Sequence, residues 1–201
     1  VNKKLAAALS GGAVLVLALS GCSDDSSSDN KVNDWAKKVC DQVKPQLQKI
    51  ANANAAIQQQ TADNSKPADV QETDSAAFQQ ISQAYKALGA AVESAGAPPV
   101  DGGEATQKEA VKELNASSAA YANLQKKVDE LNTKDQAKFA DGLKSIADEL
   151  NKISTNGDEA LRKLQSGEVG TAMAKQPGCQ KPKASVAPTA PAPSASPSKK
   201  S

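Results

Sequence analysis

Cysteine carries the most versatile chemistry in this chain, and it occurs three times, at Cys22, Cys40 and Cys179. Histidine is absent, which excludes Ser-His and Cys-His catalytic pairs, imidazole metal sites and the Glu-x-x-His motif of di-iron bundles. Two thiols without histidine make an incomplete zinc site, and no Cys-x-x-Cys redox pair is present. Glu104, Glu109 and Glu113 cluster at helical spacing. A carboxylate metal site would need partners from other helices, so the three read as a solvated face. Gly102-Gly103 lacks the flanks of a phosphate loop and reads as a turn, and Asn115-Ala116-Ser117 is a glycosylation sequon inside a predicted helix. The residue types therefore predict no enzyme, no metal and no cofactor.

The aromatic residues number five: Trp35, Phe78, Tyr85, Tyr121 and Phe139. Trp35 lies about one turn before Cys40 and reads as core or as a cover for a disulfide, with ligand stacking as the alternative. Tyr85 and Tyr121 fall on apolar stripes, as core tyrosines or as the lining of a cavity between helices.

Cys22 differs from the other two in its surroundings. Lys3 and Lys4 precede an uncharged, mostly apolar run of 15 residues from Leu5 to Leu19. A membrane-spanning helix needs about 20 such residues and a signal-peptide core roughly 7–15, so the run fits the second. Small residues follow, in Leu19-Ser20-Gly21-Cys22. These four resemble the lipobox of bacterial lipoproteins. The resemblance implies a diacylglycerol on the Cys22 thiol, cleavage before Cys22, and an extracytoplasmic protein held to the membrane by that lipid. Val1 reads as a GTG initiator codon. With 37 alanines, this implies a high-GC Gram-positive source, and the chain as a whole resembles the small secreted lipoproteins of actinobacteria.

With Cys22 taken by lipid, Cys40 and Cys179 remain as an even pair in an exported chain, and they read as one disulfide. They stand 139 residues apart. The chain-entropy argument assigns such a loop about 5 kcal/mol as an upper figure.

The body that must position these groups reads as helical. Residues 23–31 are polar and form a flexible tether, with a reach of at most about 30 Å. Helix one is expected from Val32 to Gln60, kinked or divided at Pro45, and a loop over 61–73 follows, broken by Asp63, Asn64 and Pro67. In helix two Phe78, Ile81, Tyr85, Leu88, Val92 and Ala95 repeat at three-four spacing, with Thr73 or Asp74 as cap and Gly96, Pro98 and Pro99 as the stop. Helix three begins at Gly103 or Glu104. Helix four follows Thr133, with Gln136 completing a capping box, and continues through Leu164. A short fifth helix over Glu168–Lys175 carries the chain to Cys179. The expected fold is all-α, an antiparallel up-down-up-down four-helix bundle.

The domain boundaries drawn are a signal peptide over 1–21, a lipidated tether over 22–31, a helical domain over 32–180 and a disordered tail over 181–201. Half of the ten prolines fall in that tail among Ala, Ser and Lys, a composition too poor in apolar surface to offset its ordering entropy. The alternative for the tail is a basic arm that touches anionic polymer or lipid. Residues 23–180 carry 18 basic and 23 acidic residues, a net of −5, which argues against a nucleic-acid partner.

Three functions were weighed on this basis. The preferred one is a non-enzymatic, lipid-anchored helical module that contacts another envelope protein or wall polymer. The contact is placed at the far loop, on Asp63, Asn64, Lys66 and Asp69. The alternative is a small-molecule carrier with a cavity between the helices, and an enzyme ranks last.

Overall fold

A computed structural model describes residues 24–62, 65–156 and 159–180. Residues 1–23, on which the expected signal peptide and Cys22 fall, together with Asp63, Asn64, residues 157–158 and the expected tail 181–201, lie outside the described residues. Within them the chain is an all-helical bundle: α1 Asp24–Ala62, α2 Pro67–Ala95, α3 Gly103–Asp129, α4 Gln136–Asn156, α5 Glu159–Leu164, α6 Gly167–Ala174 and a 3-10 turn over Pro177–Cys179. No helix among the described residues is long and apolar enough to cross a membrane.

Four expectations about the elements need correction. Helix one starts at Asp24, so most of the stretch expected to be a tether is helical. It is also continuous past the exposed Pro45, so the division into two pieces, one of the two outcomes expected there, does not occur. Helix two starts at Pro67, seven residues ahead of Asp74. Proline is well tolerated at the first helical position, where its missing N–H is not needed, so the residue read as a breaker is an initiator. Helix four is capped by Asp135, not by Thr133. The Asp135 carboxylate accepts the Lys138 N–H at 3.2 Å, and its carbonyl accepts the Phe139 N–H at 2.9 Å. Helix α4 is described to Asn156 and α5 from Glu159, and residues 157–158 between them lie outside the described residues. The short helix before Cys179 is present as α6.

Helix α2 packs against both α1 and α3. Its inward positions are small as well as large: Ala77, Ala84 and Ala91 recur every seven residues and are buried alongside Phe78, Ile81, Leu88 and Val92. This is how an alanine-rich chain makes a core, by letting helices approach closely. Gly89 takes the approach further, since a Cβ there would stand 3.1 Å from Asn115 Oδ1. Ser82 Oγ donates across the same seam to the Ser118 carbonyl at 2.8 Å.

Two buried clusters result. One joins Val32, Trp35, Val39 and Cys40 of α1 to Leu88 and Val92 of α2, Leu114 of α3, Leu164 of α5 and Met173 of α6. The other joins Ala53 of α1, Phe78 and Ile81 of α2, Leu124 and Val128 of α3 and Ile146 of α4. Helices α4 and α5 both lie against α3, and α6 lies against α1.

Candidate functional site

Cys40 and Cys179 are joined, with their Cα atoms 4.9 Å apart. The chain reaches this geometry through Gly178, which is buried against α1. A Cβ on it would stand 2.2 Å from the Cys40 carbonyl oxygen, so no other residue fits without backbone movement. Trp35 is buried in the same cluster, and its indole N–H donates to the Gly96 carbonyl at 2.8 Å. That makes it core, with its polar end satisfied. Beside it Lys38 Nζ donates to Ser94 O at 2.8 Å, and Gln107 Nε2 donates to Val92 O at 3.2 Å and Glu93 O at 3.3 Å. Side chains from α1 and α3 thus satisfy the carbonyls left open at the end of α2.

The tyrosines come together. Tyr85 and Tyr121 stack with centroids 5.5 Å apart and planes 12° off parallel, and Phe78 tilts against Tyr121 at 6.1 Å. Both tyrosines are half-buried. Burial, and secondarily the neighbouring Tyr85, pushes the Tyr121 phenol above its ordinary value. At neutral pH Tyr121 is therefore a neutral phenol in the aromatic seam between α2 and α3. Surface grooves of about 470, 510 and 500 Å³ run between α1 and α6, between α3 and α4, and along α2. None of the three is lined by Tyr85, Tyr121 or Phe139.

The expected contact residues are placed in part. Lys66 is the exposed residue before α2, with its carbonyl accepting the N–H groups of Asp69 and Val70 at 3.0 and 3.1 Å. Asp69 is exposed in the first turn of α2, where a negative charge suits the helix N-terminus. It belongs to a helix, not to the loop expected. Glu104 and Glu109 are exposed, and Glu109 accepts from Lys163 of α5 at 3.2 Å. Among the described residues no group of three or more acids or cysteines is placed to hold a metal ion.

Two residues have structural roles that the sequence reading missed. Gln71 Nε2 donates to the carbonyls of Val128, Asp129 and Leu131 at 2.8, 3.1 and 3.0 Å, closing the end of α3. Asp74, read above as a helix cap, is buried inside α2 at 6 % exposure. The signal was available: Val70, Asp74, Phe78 and Ile81 share one stripe at helical spacing, which places an acid on the inward face. No protein-family model, curated protein or solved structure matches this chain.

Proposed function

We infer that this chain is an extracytoplasmic lipoprotein, anchored to the membrane by lipid on Cys22, that serves as a non-enzymatic helical interaction module in the cell envelope. The observation that carries this reading is the Cys40–Cys179 bridge, in a chain whose residues 3–22 resemble an export signal and lipobox. Disulfides persist in oxidising compartments and are rare in the cytosol.

The finer architecture proposed is an antiparallel four-helix bundle. It is supported by side-chain links from the start of α1 to the end of α2 (Trp35 to Gly96), and from the start of α2 to the end of α3 (Gln71 to Val128). In that arrangement the bridge end faces the membrane. The end with Lys66 and Asp69 stands outward by roughly the length of α2, about 43 Å at 1.5 Å per residue. Exposed positions held by rigid helices are where contacts concentrate, so the partner contact is assigned to that end.

Metabolic labelling with a fatty-acid analogue tests the anchor: wild-type protein takes up label and Cys22→Ser does not. Equal labelling of the two sinks the lipoprotein reading. Replacing residues 63–69 with Gly/Ser tests the contact through crosslinking in intact cells. Crosslinks that survive this change but vanish on removing 181–201 assign the contact to the tail instead.

A further inference from the structure

Asp74 is the one charged residue buried among the described residues, and its Oδ1 has no hydrogen-bond partner there. An ionised carboxylate in such a place is unfavourable; it either keeps its proton or reaches water. Burial pushes the Asp74 carboxyl up to about 6.

No cation on the surrounding elements compensates it. Helix α1 has no charged residue from Ile50 to Ala62. On α3 the charged residues of this end, Lys126, Lys127, Asp129 and Glu130, are all exposed, and Lys127 pairs with Glu149 of α4. At the head of α4, Lys138 pairs with Asp135, and Asp141 is exposed. On α2 itself Lys66, Asp69 and Glu72 are exposed. Burial is accordingly the cause of the Asp74 displacement.

The residues just before Asp74 give its proton mechanical consequence. Thr73 accepts from Gln60 of α1 at 3.1 Å, and Gln71 donates to three carbonyls at the end of α3. We propose that the proton on Asp74 is the latch of this end of the bundle. Protonated, Asp74 lets the first turns of α2 lie closed between α1 and α3. When the carboxyl releases its proton to water, the carboxylate is relieved by turning those turns outward. That movement breaks the Gln60–Thr73 and Gln71 links and opens the cluster around Phe78 and Val128. The open population rises with pH. This device is independent of lipidation and of any partner.

The test follows the full chain by carboxyl carbon NMR and by amide hydrogen exchange from about pH 5 to 7.5, corrected for intrinsic exchange. Asp74 titrates near 6, and protection over residues 67–75 and 125–131 falls by about tenfold from pH 5 and levels off just above that pKa. Asp74→Asn, which mimics the protonated state, holds its protection constant across that range. An Asp74 that titrates near 3.9, the ordinary aspartate value, overturns the proposal, as does an equal loss of protection in Asp74→Asn. If that variant does not fold, the wild-type data decide: a loss that levels off at the Asp74 pKa and is confined to those segments upholds the latch, and a loss spread over the whole chain overturns it.

Discussion

Among the described residues, thirteen buried residues from five helices share one cluster at the end that holds the Cys40–Cys179 bridge; at the end that holds Asp74, seven from four helices share the other. Polar groups differ in the same sense. Near the bridge, the carbonyls of Val92, Glu93, Ser94 and Gly96 each receive a side-chain donor from another element. At the opposite end Gln71 performs the same service for α3, but one residue beyond Thr73 a carboxyl oxygen is buried without a partner. Gln46 Oε1, between Val43 and Ile50 of α1, is also buried without a partner, but an amide does not ionise, whereas the buried Asp74 carboxyl makes its end responsive to pH. The bundle thus has a locked end and a conditional end, although α1, α2 and α3 run through both.

The widest gap between the ends should come from the bridge. Cys40→Ser, or reduction of the wild type, is expected to lower unfolding stability by about 3–5 kcal/mol, given the long loop it closes. Urea unfolding with and without reductant measures this, and a loss below about 1 kcal/mol would remove the locked end from the comparison.

Next comes the pH response at Asp74. Its folded pKa, about 6, lies above its unfolded value of 3.8. The protonated form is therefore favoured by folding, so this stabilising contribution is fully present below about pH 4. It is lost as pH rises to about 6 and flat above that. The expected decline is about 2–3 kcal/mol, read as the difference in urea midpoints between wild type and Asp74→Asn at each pH. Parallel curves for the two proteins would make the ends alike.

Gly178→Ala probes the bridge end without touching sulfur. Its Cβ would meet the Cys40 carbonyl oxygen at 2.2 Å, backbone against backbone, and overpacking of this kind costs about 1–3 kcal/mol. Gln71→Ala probes the conditional end, where loss of the α3 closure is expected to lower stability by about 1–2 kcal/mol and to increase amide exchange over 125–131 selectively. Lys163→Ala serves as the control. Its exposed pairing with Glu109 is expected to leave the urea midpoint unchanged, since surface ion pairs contribute little.

Legibility in the sequence followed the same division. The three-four stripe of α2, the onset of α3 at Gly103 and the short helix before Cys179 were readable because large apolar residues mark them. The seven-residue row Ala77, Ala84, Ala91 was less visible, since alanine suits a buried seam and an exposed helix face equally well. Pro67 and Asp74 misled for a related reason: each is compatible with two local roles. Proline both ends and begins helices, and aspartate caps a helix unless tertiary packing draws it inward.

The pairing of Cys40 with Cys179 follows from the cysteine count once Cys22 is set aside by its resemblance to a lipobox, and the all-helical class follows from the hydrophobic period, a local property of the chain. Which end of the bundle is locked does not follow from them. Gln71 reaches the last carbonyls of α3, 57–60 residues away, and Trp35 meets Gly96 across 61 residues. Asp74 lost its water only when α2 packed between its neighbours. Burial and long-range hydrogen bonding depend on which surfaces meet, and that choice is made by the packed chain as a whole.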